Sequence, residues 1–175
     1  MAKYYFRLNT KDINDVIRMM DLFNNDLVRK CEQFVDALAD VGIQTAQWNL
    51  FALADGDEML SVADKVTFNK QVNLVQDGAT CIIIPASQPF EVVWKNRSAM
   101  VDPLLMSEFG SGMFAGDYQG TFPNQTHAFD PNGWYWVGTD DKKHHSTGIS
   151  PTRPIYKAYE EMKLQIKTVA SQVFT

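Results

Sequence analysis

Two cysteines in 175 residues, Cys31 and Cys81, are too few for a disulfide framework. A domain of this length buries roughly 70% of the surface its unfolded chain exposes, so neither cross-links nor a metal are needed to hold it. Both cysteines are read as free thiols, one within a helical pattern and one within a strand pattern. No apolar run approaches the ~20 residues that cross a bilayer, and the opening MAKYYFRLNTKD reads as neither an export signal nor an apolar span. A soluble protein made in a reducing cytoplasm is expected. No basic run exceeds Lys142-Lys143, and 16 basic against 21 acidic residues leave a net charge of −5. Neutralising phosphates needs clustered Lys and Arg, so the chain alone is not expected to grip nucleic acid by its phosphates, although DNA could slip past an acidic wall. Repeats and low-complexity tracts are missing. So are HExxH, CxxC and G-x-S-x-G spacings.

What is present reads as one domain, residues 1–175. Apolar residues at Val16, Met20, Phe23, Leu27, Cys31, Phe34, Leu38 and Val41 recur at steps of three or four. They predict an amphipathic helix from Asp12 to Val41, capped by Thr10 and stopped by Gly42. The stripe lasts under four heptads with mixed sizes, which favours a helix packed on a sheet over a coiled coil. Tyr4 to Asn9 reads as a short strand before it. A further helical stretch is expected over 45–53, broken by Asp55-Gly56-Asp57. Val66, Phe68, Val72 and Leu74 alternate as a strand, with the alternation slipping near Lys70. Asp77-Gly78 signals a hairpin, Ala79 to Ile84 a buried strand ended by Pro85, and Phe90, Val92 and Trp94 a third strand of a meander.

Asp102-Pro103 opens a short helix that Gly110 stops after Phe109. An excursion rich in glycine and aromatics follows, with 112–133 as an extended loop. Trp134 to Val137 rejoins the sheet. Pro154 opens a last helix whose stripe, Ile155, Ala158, Met162, Ile166, Val169 and Val173, is expected to cover a sheet face. The fold class is therefore α+β: a long N-terminal helix and a C-terminal helix packed on an antiparallel β-meander sheet, with a long aromatic, glycine-rich loop.

Candidate chemistry is sparse. His144-His145 lies near Asp140 and Asp141, with His127 and Asp130 upstream. Adjacent histidines on a loop rarely converge on one ion, so a metal is not expected. Glu108 beside glycines could be imagined as a general base; a local capping or pairing carboxylate is the favoured role. The glycines at 110, 112, 116 and 120 lack the strand-to-helix setting of a phosphate loop. Phe114, Tyr118, Phe122, Phe129, Trp134, Tyr135 and Trp136 are too many aromatics for a solvated linker. Most pad the core edge; a minority are expected to meet a partner.

Three features resemble the tail-component family of long-tailed bacteriophages, the head–tail joining, neck or tail-completion proteins. These are the long helix before a meander, the string Glu108-Phe109-Gly110 with Gly112, and His145 to Ala158 (HSTGISPTRPIYKA) running into a closing helix. Pro154, Ile155, Tyr156 and Ala158 stand where similar proteins start that helix; Ile149-Ser150 after Thr147-Gly148 and the run Met113–Phe129 depart from the pattern. The resemblance implies a non-enzymatic virion structural protein, assembled in the host cytoplasm, with no catalytic, cofactor or metal residues. It implies a homo-oligomeric ring between head-connector and tail proteins, around a channel that DNA traverses unbound and with no membrane involved. Two other classes stay open. One is an aromatic platform of Trp134, Tyr135 and Trp136 for glycans or single strands. The other is a small metal-assisted hydrolase using His127, His144 and His145.

Overall fold

The periodic apolar stripe produces one helix where two were expected. In a computed structural model, which describes residues 10–51, 63–75, 78–94, 97–115, 130–137 and 142–174, helix α1 runs over Thr10–Phe51, 42 residues. At 1.5 Å per residue it is about 63 Å long. Gly42 does not stop it, and of the stretch expected over 45–53 the described part, 45–51, forms its C-terminal end. Gly42 is buried where two neighbours close in: a Cβ there would sit 2.7 Å from Met162 Sδ and 3.2 Å from Ile83 Cδ1. The glycine is thus a packing choice, and its helix-propensity cost is offset by close approach. Thr45 Oγ1 donates to Val41 O and Asn49 Nδ2 to Thr45 O, so both polar side chains bond along the helix that contains them. The expected strand Tyr4–Asn9 and the break at Asp55-Gly56-Asp57 lie outside the described residues.

Strands β1 (Val66–Val75) and β2 (Gly78–Ser87) form an antiparallel hairpin, in register from Val66↔Ser87 to Val75↔Gly78. That register leaves Gln76 and Asp77 between the strands, outside the described residues. β2 runs on through Pro85, which was expected to end it. Pro85 pairs with Phe68, and β2 has no strand on its other side among the described residues. Proline is tolerated on such an edge.

The third strand of the expected meander belongs elsewhere. β3 (Phe90–Trp94) pairs with β4 (Arg97–Val101), which the sequence reading missed, and with β5 (Trp134–Val137). A further strand, β6 (Lys143–Ser146), completes a second sheet of order β4-β3-β5-β6. WYWV thus returns to a sheet as predicted.

Helix α2 (Pro103–Phe109) follows β4, and α3 (Pro154–Val173) closes the chain. The architecture is α+β, with α1 lying on the antiparallel hairpin and α3 alongside α1. α3 covers α1 more than a sheet. It runs antiparallel to it, from Lys157 Nζ donating to Asn49 Oδ1 at 2.8 Å to Phe174 packing on Phe34 at 5.9 Å. Ala158 and Val169 are buried, whereas Ile155 and Ile166 stay exposed. Leu50, Ala63 and Val66, with Phe68 and Leu104 against them, tie the end of α1, the hairpin and α2 together. Phe174, just past the end of α3, lies against Phe34 of α1. Toward the start of α1, Met20, Phe23 and Leu27 of the stripe are exposed, together with Ile13 and Ile17 beside them.

Candidate functional site

The two residue strings that carry the resemblance meet in space. Asp102 caps α2, its Oδ1 accepting from Leu104 N at 2.9 Å and Leu105 N at 3.4 Å, with Pro103 in the first turn as expected. Gly110, at φ +79°, ends the helix where the sequence put its stop. From there 107–113 lies against 147–153. Ser107 O accepts from Thr152 N and Arg153 N. Ser111 and Ile149 exchange backbone hydrogen bonds in both directions, at 2.9 and 3.2 Å, and Ser111 Oγ also accepts from Ile149 N. Met113 N donates to Thr147 O at 2.9 Å. Ser107 and Ser111 are wholly buried; Ser107 Oγ donates back to Pro103 O within α2, whereas Ser111 Oγ accepts across the junction.

Two glycines make that approach possible. Gly112 has φ +56°, and a Cβ on it would collide with Thr147 O; a Cβ on Gly148, at φ +121°, would collide with Ser111 O. These collisions are with backbone, which side-chain rotation cannot relieve. The glycines therefore set how closely the segments lie, a role that single-chain spacing did not disclose.

Glu108 has a role that a local reading only half anticipated. It does cap a helix, but a distant one. Oε2 accepts from Ile155 N at 2.8 Å and Oε1 from Tyr156 N at 3.1 Å. Arg153, the residue before α3, sits in the left-handed region at φ +54° and supplies no side-chain cap. The carboxylate of α2 fills that place at the positive end of the α3 dipole. Both of its oxygens are thereby engaged. Glu108, Phe109, Phe114, Pro151, Arg153 and Tyr156 border an open cleft of about 430 Å³.

The histidines lie on a strand, not on the expected loop. Successive strand residues face opposite ways. His144 is half-buried and His145 exposed, so the pair cannot share an ion. His145 instead approaches Asn132 O at 3.2 Å and packs on the Tyr135 ring at 4.5 Å. Asp130 holds a turn by accepting from Asn132 N and Nδ2. His127, Asp140 and Asp141 lie outside the described residues, as do Tyr118, Phe122, Phe129, Gly116 and Gly120. Among the described residues no three His, Cys, Asp or Glu side chains gather as a metal site would require. Cys31 and Cys81 are free and half-buried. Burial, followed by the nearby Asp36 charge, pushes the Cys81 thiol pKa up, away from the thiolate form a nucleophile needs.

Lys70, where the strand alternation slipped, points inward from β1 to α1. Its Nζ lies 2.6 Å from Asp36 Oδ1 and 2.7 Å from Asp40 Oδ1. Burial alone would lower its pKa; the hydrogen bonds and charges of the two aspartates outweigh it and raise the value. The lysine is a clamp between helix and hairpin. The slip in alternation was its only sequence signal.

No protein-family model, curated protein or solved structure matches the chain.

Proposed function

We propose that the chain is a non-enzymatic structural subunit of a bacteriophage virion, acting in the neck or at the top of the tail. Copies form a ring that joins or completes head and tail around the DNA channel. The observation that carries this reading is the large apolar surface left in water on α1. Met20 is 66% and Phe23 70% exposed on one helix face, and Ile13, Ile17 and Leu27 extend the same patch. Contiguous apolar patches of this kind mark sites of protein association.

Two further observations support it. The strings Glu108–Gly112 and His145–Ala158, on which the resemblance rests, form one backbone junction and so bear on the fold itself. The net charge of −5 suits a wall that DNA slides past. Mass spectrometry of purified particles, with electron microscopy of the concentrated protein, tests the proposal. Its presence in particles and ring-shaped assemblies are expected. A protein missing from particles that forms no rings would overturn it.

A further inference from the structure

We infer that one copy inserts the bare stripe of α1 into a groove of the next copy, between β2 and α3, in a head-to-tail contact. The stripe is the donor. Ile13, Ile17, Met20, Phe23 and Leu27 are 41–70% exposed, which leaves roughly 600 Å² of apolar surface for a partner to cover. A stable interface takes roughly 600 Å² or more from each partner, so the stripe alone is large enough to supply one side of it.

The acceptor is a pair of apolar cavities that open beside the covered half of the same helix. One, of about 320 Å³, is bordered by Val35, Ala39, Cys81 and Met162. The other, of about 260 Å³, is bordered by Ala46, Pro85, Tyr159 and Met162. Each has room for a large side chain. Ala39 and Ala46, one at each cavity, are seven residues apart, a rise of about 10.5 Å along α1. Met20 and Leu27 on the donor face are also seven residues apart. Knob spacing and cavity spacing therefore agree.

A molecule cannot fill its own groove with its own stripe. Both lie along one continuous helix, and the groove flanks residues 35–46 while the stripe spans 13–27. The occupant is a second copy. Because donor and acceptor are different surfaces, the contact is heterologous, and repetition closes a ring or extends a filament according to the rotation between copies. This deepens the ring reading above and rests on it for closure.

The test uses two exposed positions, Phe23→Glu in the donor and Tyr159→Glu in the acceptor, with thermal melting to verify that each variant folds. Sedimentation is followed over a concentration series. The wild type should associate and each variant alone should be monomeric. An equimolar mixture should form a one-to-one dimer, since each variant retains the surface the other has lost. A monomeric wild type, or a Phe23→Glu variant that associates normally, would overturn the inference. So would a mixture that stays monomeric. If Tyr159→Glu associates like the wild type while Phe23→Glu does not, the stripes pair with each other and the groove is refuted. Presence in particles with no such association sinks this inference alone; association without presence in particles sinks the phage reading alone.

Discussion

Replacing Gly112 by alanine tests whether the junction between 107–113 and 147–153 is as tight as its geometry says. At φ +56° the backbone conformation itself costs an L-residue about 1–2 kcal/mol. The larger effect is steric. The new methyl would collide with Thr147 O and lie 2.6 Å from Gly148 Cα. Thr147 cannot retreat freely, because its carbonyl is held by Met113 N at 2.9 Å. Admitting the methyl means parting the segments, which breaks that bond and stretches the reciprocal Ser111–Ile149 pair. Each such bond contributes about 1 kcal/mol, more when a buried group is left unsatisfied. A total loss of about 3–5 kcal/mol is expected, a large share of the ~5–15 kcal/mol that holds a domain. Gly78→Ala is the control. It also has positive φ, +151°, but nothing lies within 4 Å of its Cβ position, so it bears only the backbone cost of about 1–2 kcal/mol. Urea unfolding should separate the variants by about 2 kcal/mol, or roughly 4–8 °C in Tm. If they fall within about 0.5 kcal/mol of each other, backbone conformation alone explains both and the tight junction is wrong.

Glu108→Ala removes both acceptors at the start of α3 and should destabilise by about 1–2 kcal/mol in urea. Glu108→Gln keeps one acceptor and should lose about half as much, the folded subunit staying largely intact; equal losses would contradict the two-oxygen cap. Gly110→Val meets Phe114 O at 2.7 Å and Ile149 O at 3.1 Å at φ +79°, so expression in folded form should drop sharply. Normal folding and assembly would refute the turn described here. Lys70 has a raised pKa in the folded protein, so its contribution is present below the ordinary lysine value of 10.5 and lost as pH rises through the higher folded value. Stability measured from pH 9 upward should fall more steeply in the wild type than in Lys70→Met; parallel curves would remove the clamp.

The sequence made some of this visible through strictly local chemistry. Asp102-Pro103 at the head of α2 and Gly110 at its end are written in adjacent residues, and both were placed correctly. The alternation of Val66, Phe68 and Val72 likewise located β1. What stayed hidden depends on residues far apart in the chain. Gly42 looked like a stop because its reason for being glycine is Met162, 120 positions later. The end of β2 was misplaced because Pro85 is unfavourable only inside a sheet, and nothing local says that β2 lies at an edge. The division of three consecutive strands between two sheets follows from β5 pairing with β3, across the excursion. Glu108 reads as a capping carboxylate, but the first amide it caps, Ile155 N, lies 47 residues away. His144 and His145 acquired opposite faces only once β6 was seen as a strand.

The uneven covering of α1 gives its two ends different lifetimes. From Phe34 to Asn49 its amides open only when α3 and the hairpin come away, so their exchange with solvent should track unfolding of the body. From Thr10 to Leu27 the helix has little tertiary support, and packing supplies most of a helix's stability in proteins. Its amides should exchange by local fraying, far faster than those two turns farther on. A single continuous helix would then hold two cooperative units. Seating the bare half on another molecule would merge them, and slowed exchange of those first turns would report assembly one residue at a time.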